Sequence, residues 1–340
     1  MAVRVLVVNA GSTSLKLSVV GEGDVSEPVE SLTTAPADLA AVAHRVVHGG
    51  TKFVDPVVVD ARVEAELAAL VELAPLHNAP ALDALREARA ALPHVPHVAV
   101  FDSAFHAGRP EEDQAYALPR RWREEWGIRR YGFHGLSAQW SAERVAVPRL
   151  VVCHLGGGCS VSAVLDGRSA QTTMGFSPLE GVPMATRSGT IDAEIVLHLI
   201  RVGKLAPEEI EHALLHESGL LGLSGGLSAR VEQLEGSPEA RAKFALAVFT
   251  ARVASAVGVS AVALGGLDAL VFTGGVGEGS AQVRADVCGR LRFLGVELDD
   301  MVNGRLAGEG EIAAPSSSVR VAVVHAREDV VMARAARSLI

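Results

Sequence analysis

Short apolar runs rich in valine alternate with turn-forming residues along much of the chain. Val3 to Val8 is predicted to be a buried strand, Asn9 to Ser14 the turn that ends it, and Leu15 to Val20 the return strand of a hairpin. The same pattern predicts further strands at His44 to His48, His97 to Phe101, Leu150 to Cys153, Ser160 to Leu165, Ala269 to Thr273 and Arg320 to Val324.

Between these runs, apolar residues recur at helical spacing. Helices are predicted at Val63 to Ala74, Leu82 to Leu92, Pro207 to Leu215, Pro238 to Val257 and Glu328 to Ser338. Alternating strands and helices are typical of the α/β class. The turn at Asn9 to Ser14 is also similar to the one at His154 to Cys159, which predicts a duplicated α/β domain whose two turns face each other across a cleft.

Composition, net charge and cysteine content argue against several classes of protein. The 340 residues suffice for two domains or one large one, and 49% hydrophobic with 21% charged residues fits a soluble globular protein. A net charge of −9 without a basic cluster argues against a nucleic-acid partner. Three cysteines without a Cys-x-x-Cys pair argue against a disulfide framework or a structural zinc site.

The sequence predicts neither a signal peptide nor a membrane span. Met1 to Val8 lacks the order of charged, apolar and cleavage regions that marks a signal peptide. The most apolar stretch, Ala254 to Val271, is interrupted by three glycines and an aspartate, so we expect it to be too broken to cross a membrane. The expected location is the cytoplasm, with no membrane partner.

Three strand-to-turn junctions are rich in glycine or hydroxyl groups: Asn9 to Ser14, Leu155 to Ser160 and Gly274 to Ser280. Glycine lets backbone N–H groups approach phosphate oxygens closely, and serine adds donors. One such turn would be explained by tight chain reversal alone, but three favour a nucleotide site. None matches the Walker or Gly-x-Gly-x-x-Gly pattern.

Three basic residues are candidates for contacting the substrate or a phosphate. Lys16 follows the first turn, Arg45 lies in a predicted strand, and Arg187 lies in a loop-like segment. The planar fork of arginine matches a carboxylate or a phosphate, so the two arginines suit carboxylate capture and phosphoryl stabilisation. Structural salt bridges, or a solvated strand position for Lys16, would explain the same residues.

Two acids and two histidines are further candidates. Asp102 ends a strand, where α/β proteins place ligand contacts, and Glu328 begins the last predicted helix. Magnesium prefers one or two carboxylates with water and phosphate oxygens, although either acid could instead be a helix cap. His134 and His154 are candidates as well, but a single histidine is more often structural.

Taken together, these segments resemble the acetate kinase family of the actin-like phosphotransferases, nearly from end to end of the chain. The resemblance rests on Asn9 to Lys16, His44 to Gly50, Ala74 to Asn78, Phe101 to His106, Arg129 to Gly135, His154 to Gly156, Met174 to Gly181, Thr186 to Gly189, Ser218 to Gly222 and Phe272 to Ser280.

The resemblance implies an α/β fold of two duplicated ribonuclease H-like (actin-like ATPase) domains around an interdomain cleft, usually in a homodimer. The expected N-terminal domain comprises residues 1–104 and 328–340. The expected C-terminal domain comprises residues 105–327 and carries the nucleotide site.

The resemblance also implies roles for individual residues. Those expected to act in catalysis are Arg45, Asp102, His134 and Arg187, with Arg45 also binding the substrate. Those expected to line a small apolar pocket for the acyl methyl group are Val47, Leu76, Phe133 and Pro178. Those expected near the phosphates and the nucleotide are Asn9, Ser12, Ser14, Lys16, His154, Gly156, Gly157, Gly158, Gly275, Val276 and Gly277. Asn9, Asp102 and Glu328 are expected to organise Mg²⁺ or Mn²⁺, and His77 and His154 to support His134.

The residue types suit transfer of the γ-phosphoryl group of ATP to acetate, which gives acetyl phosphate and ADP. A carboxylate acceptor is already ionised at pH 7, so no strong general base is needed. Phosphoryl transfer then requires alignment and charge stabilisation, which arginine, histidine and a metal ion provide.

Some positions depart from the family pattern. Gly157 and Gly279 each stand where the family has an asparagine, and Ala229-Arg230-Val231 stands where it has an Asp-aromatic-Arg group near the adenosine. The chain is also shorter than typical members between Val20 and His44. Phosphoryl-site residues are kept while base-contacting residues are altered, so the transfer chemistry is better defined than the donor.

Three alternatives follow. A propionate or other short-chain acid kinase is the nearest, because one methylene contributes only about 1–3 kcal/mol of discrimination. An actin-like sugar kinase would need a carboxylate base for its hydroxyl acceptor. The altered adenosine segment also allows a nucleotide-binding relative that has lost catalysis.

Overall fold

The computed structural model describes residues 3–10, 15–73 and 75–340, and only the backbone of residues 72, 73 and 75–77. The chain divides into two compact units. The first comprises Met1–Gly108, Ala117–Trp140 and Arg327–Ile340, and the second comprises Arg109–Tyr116 and Ser141–Ala326. The domain boundaries at 104/105 and 327/328 stay a prediction, and the units differ from them mainly in placing residues 117–140 in the first unit.

Within the described residues, the first unit contains a six-stranded mixed sheet. Its strands are β1 (Arg4–Ala10), β2 (Leu15–Val20), β3 (Ser26–Pro28), β4 (Leu39–Val46), β5 (Val57–Val58) and β6 (His97–Phe101). They lie in the order β3-β2-β1-β4-β6-β5, with β1, β4 and β6 parallel to one another. These three strands are almost entirely buried and apolar, as the centre of a covered parallel sheet requires.

The second unit contains a sheet with the same topology. Its strands are β7 (Arg149–Leu155), β8 (Cys159–Leu165), β9 (Arg168–Thr172), β10 (Ala269–Thr273), β11 (Gly310–Glu311) and β12 (Arg320–Val323). The order is β9-β8-β7-β10-β12-β11, with β7, β10 and β12 parallel. In both sheets an antiparallel meander is followed by two parallel strands and a short antiparallel edge strand. The predicted α/β class and duplication are confirmed.

Helices cover the sheets. In chain order they are α1 (Ala61–Ala69), α2 (Pro75–Ala91), α3 (Glu111–Gln114), α4 (Arg120–Trp126), α5 (Gly135–Val145), α6 (Ala193–His198), α7 (Pro207–His212), α8 (Gly219–Leu223), α9 (Val231–Glu235), α10 (Ala240–Leu264), α11 (Gly274–Gly279), α12 (Ala281–Gly289), α13 (Asp300–Arg305) and α14 (Glu328–Arg337). In the first unit, α2 and α14 both pack against β1 and β4.

The strand predicted at His44 to His48 ends at Val46 instead. After Val46, the amide side chain of Asn78 makes the hydrogen bonds to the backbone of His48 that a neighbouring strand would otherwise make. It accepts from the His48 N–H at 3.1 Å and donates to the His48 carbonyl at 3.0 Å. The backbone groups are therefore satisfied without a neighbouring strand.

The apolar stretch around residue 258 is less broken than its glycines suggested. Gly258 lies inside α10, which continues to Leu264 and ends at Gly265 with a left-handed φ of 65°. By length and composition alone α10 could cross a membrane. It packs against β7, β8 and β9 and buries one face along its length, as a core helix does.

Candidate active site

A buried ion pair lies where β4 and β6 end. The two strands are parallel, with Val46 opposite Phe101, and the Asp102 N–H donates to the Val46 carbonyl at 3.1 Å. This register brings the side chains of Arg45 and Asp102 together. Arg45 Nε lies 3.1 Å from each carboxylate oxygen, and Nη2 lies 2.5 Å from Oδ2.

Burial controls the charges of this pair. The side chain of Asp102 has no exposed surface, and that of Arg45 is 13% exposed. Burial raises the pKa of Asp102 to about 6, with Arg45 opposing the rise and Glu328 adding to it. Burial alone would lower the pKa of Arg45, but Asp102 and Glu328 raise it. Both groups are therefore ionised at pH 7, and the guanidinium is held in one orientation.

Asn9 connects this pair to Glu328. Arg45 Nη1 donates to Asn9 Oδ1 at 3.2 Å, and Asn9 Nδ2 donates to Glu328 Oε2 at 3.2 Å. Glu328 Oε2 also lies 4.0 Å from Arg45 Nε. Residues from the ends of β1, β4 and β6 and from the first turn of α14 thus form one polar cluster.

This cluster can be tested for its fit to a magnesium ion. Among the residues that the structure describes, no group of three or more His, Cys, Asp and Glu could hold a metal by itself. Magnesium bound with a nucleotide needs only one or two carboxylates, because phosphate and water oxygens complete its shell. Both oxygens of Asp102 are engaged by Arg45, so Glu328, oriented by Asn9, is the acid whose position suits such an ion.

His134 has an unusual backbone beside Asp102. Its φ is 57°, in the left-handed region that residues other than glycine rarely adopt. The next residue, Gly135, donates its N–H to the Asp102 carbonyl at 3.1 Å. A Cβ at Gly135 would lie 2.1 Å from that carbonyl oxygen, so the contact requires glycine. The left-handed residue is therefore clamped next to the ion pair, and such strained residues cluster at functional sites.

Val47 and Phe133 are buried in the same unit. His48, which follows Val47 in the chain, packs its ring against those of Tyr131 and Phe133, with centroid distances of 4.3 Å and 5.4 Å. Asn78 also fixes the His48 backbone, so the segment that carries Val47 is held beside Phe133.

The remaining predicted residues of the first unit are less defined. Lys16 is exposed on β2 and lies opposite Asn9 in the strand register. Ser12, Ser14 and the side chains of Leu76 and His77 lie outside the described residues.

In the second unit, the glycine-rich turn after β7 lies beside α11, the segment that the sequence predicted to be a turn and that forms a short helix instead. The parallel pairing of β7 and β10 places His154 opposite Thr273, so the turn at Gly156, Gly157 and Gly158 emerges beside α11. A Cβ at Gly274 would lie 2.8 Å from the Leu155 carbonyl oxygen and 3.2 Å from His154 Nε2. His154, the turn after β7 and the segment Gly275-Val276-Gly277 are therefore brought together.

Arg187 lies next to the turn at Gly156, Gly157 and Gly158. Its loop is held by α8, through the Ser218 N–H to the Thr186 carbonyl at 2.9 Å, and by the Ala185 N–H, which donates to the Gly157 carbonyl at 3.3 Å. The side chain is half-buried. Burial lowers the pKa of Arg187, with the nearby thiol of Cys159 acting in the opposite direction.

A positioning group that the sequence did not indicate is Tyr116. Its hydroxyl donates to Glu180 and accepts from the Phe176 N–H at 2.9 Å. Together these bonds brace the loop that carries Pro178. Tyr116 lies 60 residues from Phe176 and outside every motif, so no sequence signal marks it.

A family model and known relatives match most of the chain by sequence. A sequence model of the acetokinase family matches residues 26–334. An acetate kinase from Cyanothece sp. is 44% identical over 305 residues, which cover 86% of this chain and 74% of the relative. One from Rhodopseudomonas palustris is 46% identical over 314 residues, covering 89% and 78%.

Two solved structures are also similar over nearly the whole chain. A propionate kinase from Francisella tularensis is similar with a TM-score of 0.90 and 31% identity, over 99% of this chain and 100% of that one. An acetate kinase from Porphyromonas gingivalis is similar with a TM-score of 0.88 and 30% identity, over 99% of each chain.

Proposed function

The chain belongs to the acetokinase family, and from this premise we propose that it reversibly transfers the γ-phosphoryl group of ATP to acetate, giving acetyl phosphate and ADP. The observation that carries most weight is the buried Arg45–Asp102 pair with Asn9 and Glu328 beside it. It offers a fixed cation and an acid that would bind the metal ion, and both oxygens of Asp102 are engaged by Arg45, which suits an acceptor that is already ionised.

Arg45 would bind the acetate carboxylate. Asp102 holds its guanidinium through Nε and Nη2, so the fork is oriented before the substrate arrives. Val47 and Phe133, with Leu76 and Pro178, would surround the methyl group. His134 and Arg187 would stabilise the negative charge that spreads over the transferred phosphoryl group.

Asn9 and Glu328 would hold Mg²⁺ or Mn²⁺ together with phosphate oxygens of ATP. When bound, the ion would neutralise charge on the β- and γ-phosphates. Glu328 lies 4.0 Å from Arg45 and accepts a hydrogen bond from Asn9, so these two residues orient its carboxylate before any ion binds.

The glycine-rich turns would bind the nucleotide. A Cβ at Gly157 or Gly275 would meet nothing within 4 Å, so both backbones are open to a ligand. His154, Gly156, Gly158, Val276 and Gly277 belong to the same region, and Ser12, Ser14 and Lys16 would lie near the transferred phosphoryl group. Near the expected adenosine segment, Arg230 donates to Glu232 at 2.7 Å, and both side chains are largely exposed.

We also propose a cytoplasmic homodimer, as the family resemblance implies. The second unit exposes large apolar side chains that self-association would cover, among them Val262 at 83% and Phe293 at 79% exposure. Light scattering of the purified protein measures its mass directly. A monomer at micromolar concentration would contradict this proposal.

The acid specificity is tested by comparing acetate, propionate and butyrate at saturating ATP and magnesium. We expect the highest kcat/KM with acetate. The structural similarity to a propionate kinase makes propionate the second candidate, and a tenfold preference for propionate would select it. A parallel screen of ATP, GTP and pyrophosphate at fixed acetate identifies the donor.

A further inference from the structure

The carboxylate of Glu278, at the end of α11, gathers three hydrogen bonds from two separate segments. Oε1 accepts from the Gly274 N–H at 2.9 Å and from the Ala326 N–H at 3.0 Å. Oε2 lies 2.5 Å from His325 Nδ1. A carboxylate oxygen only accepts, so Nδ1 carries the proton in this contact.

The two segments leave the second sheet side by side. β10 and β12 are parallel, with Phe272 opposite Val323, and the Val324 N–H donates to the Phe272 carbonyl at 3.0 Å. The first segment continues into the glycine-rich α11. The second reaches Ala326, the last residue of the second unit, and Glu328 follows two residues later in the chain.

The backbone at the C-terminal end of α11 is held by a different residue, Arg284. Arg284 is 2% exposed, and its Nη1 donates to the carbonyls of Gly277 and Glu278 at 3.0 and 2.8 Å. The backbone of α11 is therefore fixed by Arg284, whereas the side chain of Glu278 reaches out to the segment that leads to Glu328.

We propose that Glu278 is a positioning residue that couples the glycine-rich nucleotide turn to the placement of Glu328. The inference rests on the proposed roles of α11 at the nucleotide and of Glu328 at the metal ion. A metal ion shared by a nucleotide and a carboxylate requires both to be held within a few tenths of an ångström. Loss of a residue that positions a metal ligand without binding the metal itself lowers metal affinity about 10- to 100-fold.

The test compares Glu278→Ala with Glu309→Ala. Glu309 accepts from the His325 N–H at 2.7 Å, so it holds the same segment from a position outside α11. Mn²⁺ affinity is measured in the presence of ADP by electron paramagnetic resonance, together with the KM for acetate and the melting temperature. Glu278→Ala should weaken Mn²⁺ binding about 10- to 100-fold with the KM for acetate within twofold, and Glu309→Ala should leave Mn²⁺ binding unchanged.

Two further variants separate the possible failures. Glu278→Gln keeps an oxygen that can accept from both backbone N–H groups, so it should recover most of the Mn²⁺ affinity. Glu328→Gln reports on the metal assignment itself, and unchanged Mn²⁺ affinity there would overturn both that assignment and this inference. Weaker binding with Glu328→Gln but not with Glu278→Ala would overturn the coupling alone. If Glu278→Ala does not fold, Glu278→Asp carries the same comparison.

Discussion

Replacing Asp102 with asparagine removes one charge from the buried pair and keeps the side chain's size. In the native protein Asp102 engages Arg45 through three contacts of 3.1 Å or less, and the Arg45 side chain is 13% exposed. In the variant, the charge of Arg45 stays buried and loses its main partner. The Asn9 amide oxygen at 3.2 Å and Glu328 at 4.0 Å remain.

The expected loss follows from that geometry. Removing one partner of a buried ion pair costs about 3–5 kcal/mol, because the other charge is left uncompensated. Since two acceptors remain near Arg45, we expect the lower end, about 3 kcal/mol in the free energy of unfolding. The double variant Arg45→Met/Asp102→Asn also removes the buried guanidinium charge and should be more stable than Asp102→Asn alone.

Urea unfolding followed by tryptophan fluorescence measures this loss, since Trp122, Trp126 and Trp140 all lie in the first unit. The control is Asp38→Asn, which breaks an exposed pair with Arg4 whose side chains are 30% and 66% exposed. It should cost less than about 1 kcal/mol. A loss below about 1 kcal/mol for Asp102→Asn, or a double variant less stable than the single one, would refute the reasoning.

Three other predictions concern pH, packing and the substrate loop. Burial, with His97 and Arg89 acting in the same direction, lowers the pKa of His44 to about 3, so the unfolded state binds its proton first. The His44 contribution to the free energy of unfolding should therefore fall by about 2 kcal/mol between pH 7 and pH 5. In urea titrations the native protein should lose about 2 kcal/mol more over this range than His44→Gln does. Gly135→Ala should cost about 1–3 kcal/mol by thermal unfolding, since its Cβ would lie 2.1 Å from a carbonyl oxygen, whereas Gly108→Ala, with open space, should be neutral. Tyr116→Phe should raise the KM for acetate about 3- to 10-fold, the value of one net hydrogen bond, and an unchanged KM would remove the hydroxyl from loop positioning.

Much of the fold was predictable because its strands are short, valine-rich and bounded by turn residues. β2, β6 and β10 match their predicted bounds. The duplication was predictable because the two hairpins have similar sequences. The errors arose where side chains replace regular backbone bonding. Asn78 ends β4 early by satisfying the backbone of His48, and α10 tolerates Gly258 because its buried face is held by the sheet.

For the candidate site, the sequence identified Arg45 and Asp102 as separate candidates but could not pair them. Their contact depends on the parallel register of β4 and β6, which places residues 57 positions apart at one sheet edge. The same holds for Asn9 and Glu328, which are 319 positions apart. Tyr116 and Glu278 also make their contacts with residues that are distant in the sequence, so no local sequence pattern reveals them.

The central claim is that this chain phosphorylates the carboxylate of acetate. Phosphorus NMR of the purified protein with ATP, magnesium and acetate tests it most directly, because acetyl phosphate and inorganic phosphate give separate signals. We expect an acetyl phosphate signal that depends on acetate and is strongly reduced in Arg187→Ala, while that variant keeps its fold. Inorganic phosphate alone, or an unchanged rate in Arg187→Ala, would contradict the account.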